Sequence, residues 1–207
     1  MAQQRRRLPR GLGGLLRHEI VAAAERVVAG TEDSRGLTIR AVAAEAGVTA
    51  PSIYRHFADK RTLAQAVIDS RFEHFGAALS DAVVGGVDPF DRLQRRCHAY
   101  LTYAREQSTW YRVLFSDVSM GWEPGVDLSR PGFATFNEHV EAVRSCLEWG
   151  SAQIADSADP FRVALLLWAG LHGLAELPVT KPGISWPPVE ELVDDLLAAL
   201  GLAAGVS

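Results

Sequence analysis

The 207-residue sequence is poor in sulfur and lacks the patterns of a catalytic or metal centre. It has two cysteines, Cys97 and Cys146, and both fall on apolar faces of predicted helices. This usage favours buried, reduced thiols, with a disulfide or a redox sensor as the alternative. The sequence shows no paired Cys/His spacing, no glycine-rich phosphate loop and no nucleophile elbow. We therefore expect no catalytic residues, no metal and no cofactor.

Long apolar runs are scarce as well. Four arginines lie within the first ten residues, but no apolar run long enough for a signal peptide follows them. The longest apolar stretch, Val163–Ala175, contains His172 and is too short to span a bilayer. We expect a cytoplasmic protein that binds no membrane.

The net charge of −4 is not typical of a nucleic-acid-binding protein, but the charges are unevenly distributed. Residues 1–75 carry 12 Lys+Arg and 8 Asp+Glu, a balance of +4, whereas residues 76–207 carry 9 and 17, a balance of −8. A basic N-terminal third on an acidic remainder is typical of a protein that contacts phosphates with one end only. An asymmetry that arises by chance is the alternative.

Helical periodicity runs through nearly every segment, and no segment shows the sustained alternation of a strand. The predicted fold class is all-α, with about nine helices forming an N-terminal three-helix module and a larger helical body. The predicted domains are residues 1–58, including a basic tail, and residues 59–207. Pro178 is expected to end the eighth helix. Apart from a short pair within 37–57, the helices are predicted at about Leu15–Ala29, Lys60–Val83, Pro89–Gln107, Ser108–Phe115, Gly132–Gly150, Pro160–Leu177 and Val189–Leu200.

Residues 37–60 have the pattern of a helix, a glycine-centred turn and a second short helix. Gly47 tolerates the left-handed conformation that ends the first helix. Thr49 is predicted to N-cap the second helix, and Pro51 suits its first turn. A short helix presented in this way enters the major groove of DNA by its N-terminal residues.

The run from Val48 to Lys60 resembles the recognition region of the tetracycline-repressor (TetR) family. A short helix that ends in Tyr-x-His-Phe, followed by a lysine that opens a long helix, is the hallmark of that family, and Tyr54, His56, Phe57 and Lys60 match it. The resemblance covers about residues 15–65. It implies a helix-turn-helix module that binds double-stranded, near-palindromic operator DNA.

Nine residues are candidates for DNA contact, and each has a simpler alternative. The resemblance implies that Arg40 hydrogen-bonds a base, although a phosphate-bound or surface arginine is equally consistent. Arg55 is the longest donor on the recognition helix, for a base, a phosphate or solvent. The remaining candidates are Ala50 and Pro51 for thymine methyls, and Thr49, Ser52, Tyr54, His56 and Lys60 for phosphates.

Aromatic residues are dense in the predicted helices 5 to 8, and the resemblance implies that helices 4 to 7 enclose an effector site. Mostly they are expected to form core, but aromatics beside a long Gly/Pro loop at 121–131 also favour an apolar pocket. Trp168 with His172-Gly173 resembles a Trp…His-Gly signature of one C-terminal subclass of the family. His172 is either the polar anchor for a small-molecule effector or a satisfied core or interface histidine. The predicted effector-site residues are Tyr100, Trp110, Phe115, Phe136, Val140, Trp168 and His172.

The eighth predicted helix is apolar on nearly all sides, so it must be covered all round. The ninth has one apolar and one acidic face. A two-fold partner packing through helices 8 and 9 would cover both, and Gly170 and Gly173 would permit close approach.

The sequence therefore predicts a cytoplasmic, homodimeric, ligand-responsive DNA-binding regulator that is not an enzyme. The predicted activity is that of a repressor released by an apolar or aromatic effector. One alternative is a small all-α enzyme or carrier in which residues 37–57 are only structural. Another is an activator of the same fold.

Overall fold

The computed structural model describes residues 13–31, 36–115, 130–149 and 159–202, and every regular element in these ranges is a helix. The all-α prediction is confirmed. The predicted tail at 1–10 and most of the loop at 121–131 lie outside the described residues. The helices are α1 (Gly13–Thr31), α2 (Ile39–Ala46), α3 (Ala50–Tyr54), α4 (Lys60–Ala82), α5 (Pro89–Glu106), α6 (Ser108–Phe115), α7 (Pro131–Trp149), α8 (Pro160–Thr180) and α9 (Val189–Ala199).

Pro178 does not end α8, and that prediction is wrong. The helix continues to Thr180 with the proline inside it. Proline removes a single backbone donor, and the ladder resumes at once, since Lys181 N–H donates to the Leu177 carbonyl at 2.8 Å. The loss of one hydrogen bond near the end of a helix is therefore not enough to stop it.

The chain divides into two compact units. Among the described residues, the first contains 13–31, 36–70 and 112–115, and the second contains 71–111, 130–149 and 159–202. The boundary at residues 58 and 59 remains a prediction. The first unit packs α1 against α2 and α2 against α3. Its core side chains are less than 2% exposed: Ile20, Val28, Leu37, Val42, Ile53, Phe57 and Leu63.

In the second unit α5, α7 and α8 pack on one another, and α9 packs on α5 and α8. Asp88 N-caps α5 by accepting a hydrogen bond of 2.7 Å from Asp91 N–H, and Asp159 N-caps α8 by accepting one from Phe161 N–H. These capped starts orient the helices whose inner faces meet in the core. Its most buried members are Leu93, Cys97, Val143, Leu167, Leu171, Val193 and Leu197.

Helix α8 is only partly covered within the subunit. In its most apolar window, with a mean hydropathy of 1.4, 17% of the residues are buried. The helix extends beyond the apolar stretch Val163–Ala175 at both ends, and at 21 residues it meets the length and composition criteria of a membrane span. The core helices of water-soluble proteins pass the same test. No other helix among the described residues passes it.

Gly170 has a structural role within the subunit. A Cβ atom at this position would lie 2.6 Å from Cδ2 of Leu196 on α9. The glycine therefore permits α8 and α9 of one subunit to pack closely, and no partner helix is needed to explain it.

Candidate nucleic-acid interface and effector site

The turn between α2 and α3 has the geometry that the sequence predicted for Gly47. This residue adopts φ 64° and ψ 33°, the left-handed region. The next amide, Val48 N–H, donates to the Ala43 carbonyl at 2.9 Å, and Gly47 N–H donates to Ala44. These two hydrogen bonds at the C-terminal end of α2 fix the direction in which the chain enters α3.

Thr49 occupies the N-cap position of α3 with extended backbone, but its side chain does not cap the helix. Its hydroxyl lies 3.0 Å from that of Ser52 instead. Pro51 lies in the first turn, as predicted. The hydroxyl pairing keeps two polar side chains of the recognition segment together at the end of α3 that a DNA groove would meet.

The buried side of α3 rests on Ile53 and Phe57, which are 0% and 1% exposed. The guanidinium carbon of Arg17, on α1, lies 4.9 Å from the centre of the Phe57 ring. Helix α3 ends at Tyr54, so Arg55 is its C-cap and His56 lies just beyond it. The apolar anchor leaves the polar side chains of the segment directed outward.

None of the nine DNA candidates is buried. Tyr54 is 53% exposed although it is a large aromatic residue without a core role. Arg40, Thr49, Pro51, Arg55 and Lys60 are exposed, whereas Ala50, Ser52 and His56 are half-buried. All nine lie in the first unit, on or beside α2, α3 and the start of α4.

Lys60 is the first residue of α4, and Asp59 caps this helix. The Asp59 carboxylate accepts hydrogen bonds from Thr62 N–H at 2.7 Å and from the Thr62 hydroxyl at 2.8 Å. These bonds lower the pKa of Asp59. The cap fixes the start of α4, so the Lys60 ammonium projects from an ordered helix end.

The body contains a buried polar cluster that consists of Tyr100, Tyr111 and His172. The Tyr100 hydroxyl lies 2.7 Å from His172 Nδ1, the Tyr111 hydroxyl lies 2.9 Å from the same nitrogen, and the two hydroxyls are 3.2 Å apart. The nearby indole of Trp168 lowers the pKa of Tyr100, but by less than burial raises it. One imidazole nitrogen therefore joins α5, α6 and α8.

This cluster is uncharged near neutral pH. Burial raises the pKa of Tyr100 and of Tyr111, and burial lowers the pKa of His172, which the nearby Glu176 raises only in part. Neutral hydroxyl and imidazole groups recognise a hydroxyl, carbonyl or amide group, and do not provide the charge that a carboxylate or an ammonium requires.

A series of aromatic side chains in contact extends from the polar cluster along α8 to α7. The Trp168 ring centre lies 5.7 Å from that of His172 and 5.6 Å from that of Phe136. Phe136 in turn meets Phe161 edge to face at 5.8 Å. Val140, which is 7% exposed, follows one turn after Phe136 on α7. Four of the predicted effector residues, Tyr100, Phe136, Trp168 and His172, are thus brought together.

Trp110 and Phe115 have different surroundings. The guanidinium carbon of Arg71 lies 4.5 Å from the centre of the Trp110 ring, so a cation covers one of its faces. Phe115 is half-buried and belongs to the first unit, whereas the other six predicted residues belong to the second.

Sequence reasoning missed the role of Tyr111, although its position beside Trp110 in an aromatic helix was a usable signal. It also missed two buried basic side chains, Arg96 and His139, which are 5% and 8% exposed. Burial, followed by the charge of Arg96, lowers the pKa of His139 to about 4. Both residues occupy inward positions of helical stripes that otherwise contain apolar residues.

Both cysteines are buried free thiols, as predicted. Burial raises the pKa of Cys97 to about 12 and that of Cys146 to about 11, so neither forms a reactive thiolate at neutral pH. Among the described residues, no group of three or more His, Cys, Asp or Glu side chains has the arrangement of a metal site.

Two family models match the chain. The model of bacterial regulatory proteins of the tetR family matches residues 20–67, and the model of the tetracyclin repressor-like C-terminal domain matches residues 93–200. The sequence matches no curated protein at a significant level.

The fold is similar to those of several solved structures. A protein of unknown function from Rhodococcus sp. RHA1 has a TM-score of 0.71 at 25% identity, covering 91% of this chain and 95% of that chain. A TetR-like transcriptional regulator from the same organism has a TM-score of 0.59 at 20% identity, covering 94% and 97%. The regulator FadR from Bacillus subtilis, solved with stearoyl-CoA, has a TM-score of 0.64 at 14% identity, covering 88% and 96%.

Proposed function

Because the chain belongs to the tetR family and is therefore a ligand-responsive, DNA-binding transcriptional regulator, we propose that it acts as a homodimeric repressor. An apolar or aromatic effector releases it from operator DNA. The observation that carries this proposal is the recognition segment at Thr49–Lys60 on one unit, whose polar side chains are exposed or half-buried, together with a buried cluster of neutral polar groups in the other.

The proposed DNA contacts follow from exposure and chemistry. Tyr54 and Lys60 bind phosphates, because an exposed phenol and an ammonium at a capped helix start suit phosphate oxygens. Arg40 and Arg55 are the proposed base readers, since a guanidinium pairs bidentately with guanine. The other five candidates fix the approach of α3 to the groove.

The proposed dimer forms through α8 and α9. On α8, Leu166 is 60% exposed and Leu177 is 44% exposed, and Ala169 is exposed between them. Their spacing of three and eight residues puts them on one helical stripe. An apolar stripe of this kind on a regulator that reads a near-palindrome fits a two-fold partner. Because a partner subunit would cover the apolar stripe of α8, the dimer also supports a cytoplasmic protein rather than a membrane-spanning one.

The proposed effector binds beside Tyr100, Trp168 and His172. Its class follows from the uncharged state of the polar cluster and from the aromatic rings around it, which favour an aromatic or apolar molecule with one neutral polar group. The chain is proposed to have no enzymatic activity and to need no cofactor.

Fluorescence anisotropy with DNA from upstream of the chain's own gene tests the proposal. We expect saturable, salt-dependent binding that a compound from an aromatic library reverses. Binding that is indifferent to DNA sequence, with turnover of a library compound, would instead support the all-α enzyme or carrier. Binding that recruits polymerase in a transcription assay would support an activator.

A further inference from the structure

An open cavity of about 600 Å³ lies at the surface of the second unit, lined by Val83, which follows α4, by the first half of α5 and by the middle of α7. Its volume is within the range of about 300–1,000 Å³ that is typical of small-molecule sites. None of the seven predicted effector residues lines it. Ala134 and Ala142 leave the space open, and charged side chains occupy its walls.

The walls carry opposite charges. Arg92 and Arg96 project from α5, whereas Glu138 and Glu141 project from α7. Arg92 is held in place because its Nη1 donates to the Gly86 carbonyl at 3.1 Å. A Cβ at Gly86 would lie only 2.3 Å from Cγ of Arg92, so the glycine is what lets this side chain lie against the turn.

Arg96 is 5% exposed and incompletely paired. Its Nη2 donates to the Thr135 carbonyl at 3.1 Å and to Glu138 Oε2 at 3.3 Å, while its Nε is buried without an acceptor. A guanidinium has five donor hydrogens, and a buried cation with one single-contact carboxylate partner favours a further anion. Glu138, also bonded by the Ser80 hydroxyl, still exposes half of its side chain.

We propose that this cavity, here named the α5–α7 cavity, binds a small zwitterion. The ligand carboxylate pairs with Arg92 and Arg96 on the α5 wall, and the ligand ammonium pairs with Glu138 and Glu141 on the α7 wall. Arg92, Arg96 and Glu138 are held by hydrogen bonds, and Glu141 Oε2 lies 3.3 Å from Arg144 Nε. Because these charges are already positioned, a ligand that matches both signs gains more than one that matches either. This site is separate from the proposed effector site.

Isothermal titration calorimetry of the full chain tests the proposal with a series of ω-amino acids from β-alanine to ω-aminohexanoate, which vary the distance between the charges. Hexanoate and hexylamine are the singly charged controls. We expect saturable binding of at least one ω-amino acid, and about tenfold or more weaker binding of both controls. No binding by any of the series up to about 10 mM, or equal binding by a control, overturns the proposal.

Three variants locate the binding. Arg92→Gln and Glu141→Gln are each expected to weaken the bound ω-amino acid about tenfold, while Glu148→Gln, an exposed glutamate of α7 outside the cavity, leaves it unchanged. Equal effects of all three would overturn the assignment to this cavity. Unchanged melting temperatures establish that the variants fold. Operator binding by the same variants is measured in parallel, so failure of this proposal is distinguishable from failure of the proposed function.

Discussion

Tyr100 and His172, 72 residues apart in the chain, are joined by a hydrogen bond of 2.7 Å between the phenol oxygen and Nδ1. Tyr111 shares the same nitrogen at 2.9 Å. The His172 imidazole is therefore already satisfied on this side by two hydroxyls. An effector that uses this cluster must add to these bonds or replace one of them.

The first prediction concerns this cluster. Tyr111→Phe is expected to weaken an uncharged aromatic effector by about 1–3 kcal/mol, because one buried hydroxyl of the cluster is lost. Operator affinity without effector is expected to stay near that of the wild type. The measurement is the effector concentration that half-releases labelled operator DNA.

Tyr103→Phe is the matched control for Tyr111→Phe. Tyr103 is 7% exposed and lies on the same helix as Tyr100, and its hydroxyl accepts a bond of 3.5 Å from Arg71. An equal loss in both variants would mean that the effect is one of general packing. The cluster would then have no part in effector binding.

The second prediction concerns the recognition segment. Lys60→Ala is expected to weaken binding to all DNA sequences and to lower the salt slope by about one unit, because one phosphate contact is lost. Arg40→Ala and Arg55→Ala are expected to cost about 1–3 kcal/mol on operator DNA if each reads a base, with relaxed preference at one operator position. Anisotropy titrations at several salt concentrations measure both effects.

A variant set indistinguishable from the wild type would contradict the assignment of these residues to DNA contact. Arg105→Ala is a suitable control, since this exposed arginine lies in the last turn of α5 on the second unit.

The sequence predicted the helices well because their signals are local. The residue types alone predict helix starts at Asp88-Pro89 and Asp159-Pro160, and both aspartates do cap their helices. Thr49 also has the right type, but whether its hydroxyl bonds to backbone or to Ser52 depends on a single torsion angle. Local sequence does not determine that choice.

The partners of side chains far apart in sequence were not predictable. Tyr111 pairs with His172 across 61 residues, and Arg96 reaches the Thr135 carbonyl across 39. Such pairs depend on how α5, α6, α7 and α8 cross. Helical periodicity identifies the inward face of each helix, but it does not identify the helix that packs against that face. The burial of Arg96 and His139 belongs to the same class, since their polarity alone favours a surface position.

The third prediction concerns the dimer. Leu166→Glu is expected to weaken dimerisation by about 30-fold or more, because it places a charge at the most exposed leucine of the apolar stripe of α8. Operator affinity is expected to fall as dimerisation weakens, because one dimer binds both half-sites of the operator. Sedimentation velocity at several protein concentrations measures the change.

Val87→Glu is the control, because Val87 is 83% exposed and lies outside α8 and α9. Leu171 is unsuitable for this test, since it is 1% exposed and a charge there would disrupt the subunit core. A wild-type protein that sediments as a monomer at micromolar concentration would contradict the proposed dimer.

The fourth prediction concerns acid stability and follows from His139. Its pKa in the folded state is about 4, below the ordinary value of 6.5, because burial and the charge of Arg96 disfavour the protonated imidazole. At intermediate pH the unfolded chain binds more protons at this position than the folded chain, so the free energy of unfolding falls as pH falls. The stability is fully present above about pH 6.5 and is lost progressively towards pH 4, by about 3 kcal/mol.

His139→Gln removes this titration while keeping an amide able to hydrogen-bond. Whatever its stability at neutral pH, the variant is expected to lose about 3 kcal/mol less than the wild type between pH 6.5 and pH 4, as measured by urea unfolding at a series of pH values. His172 also has a lowered pKa, but it is the same in both proteins and cancels in the comparison. Parallel pH profiles for the two proteins would show that the His139 imidazole accepts its proton in the folded state without cost, in conflict with its burial beside Arg96.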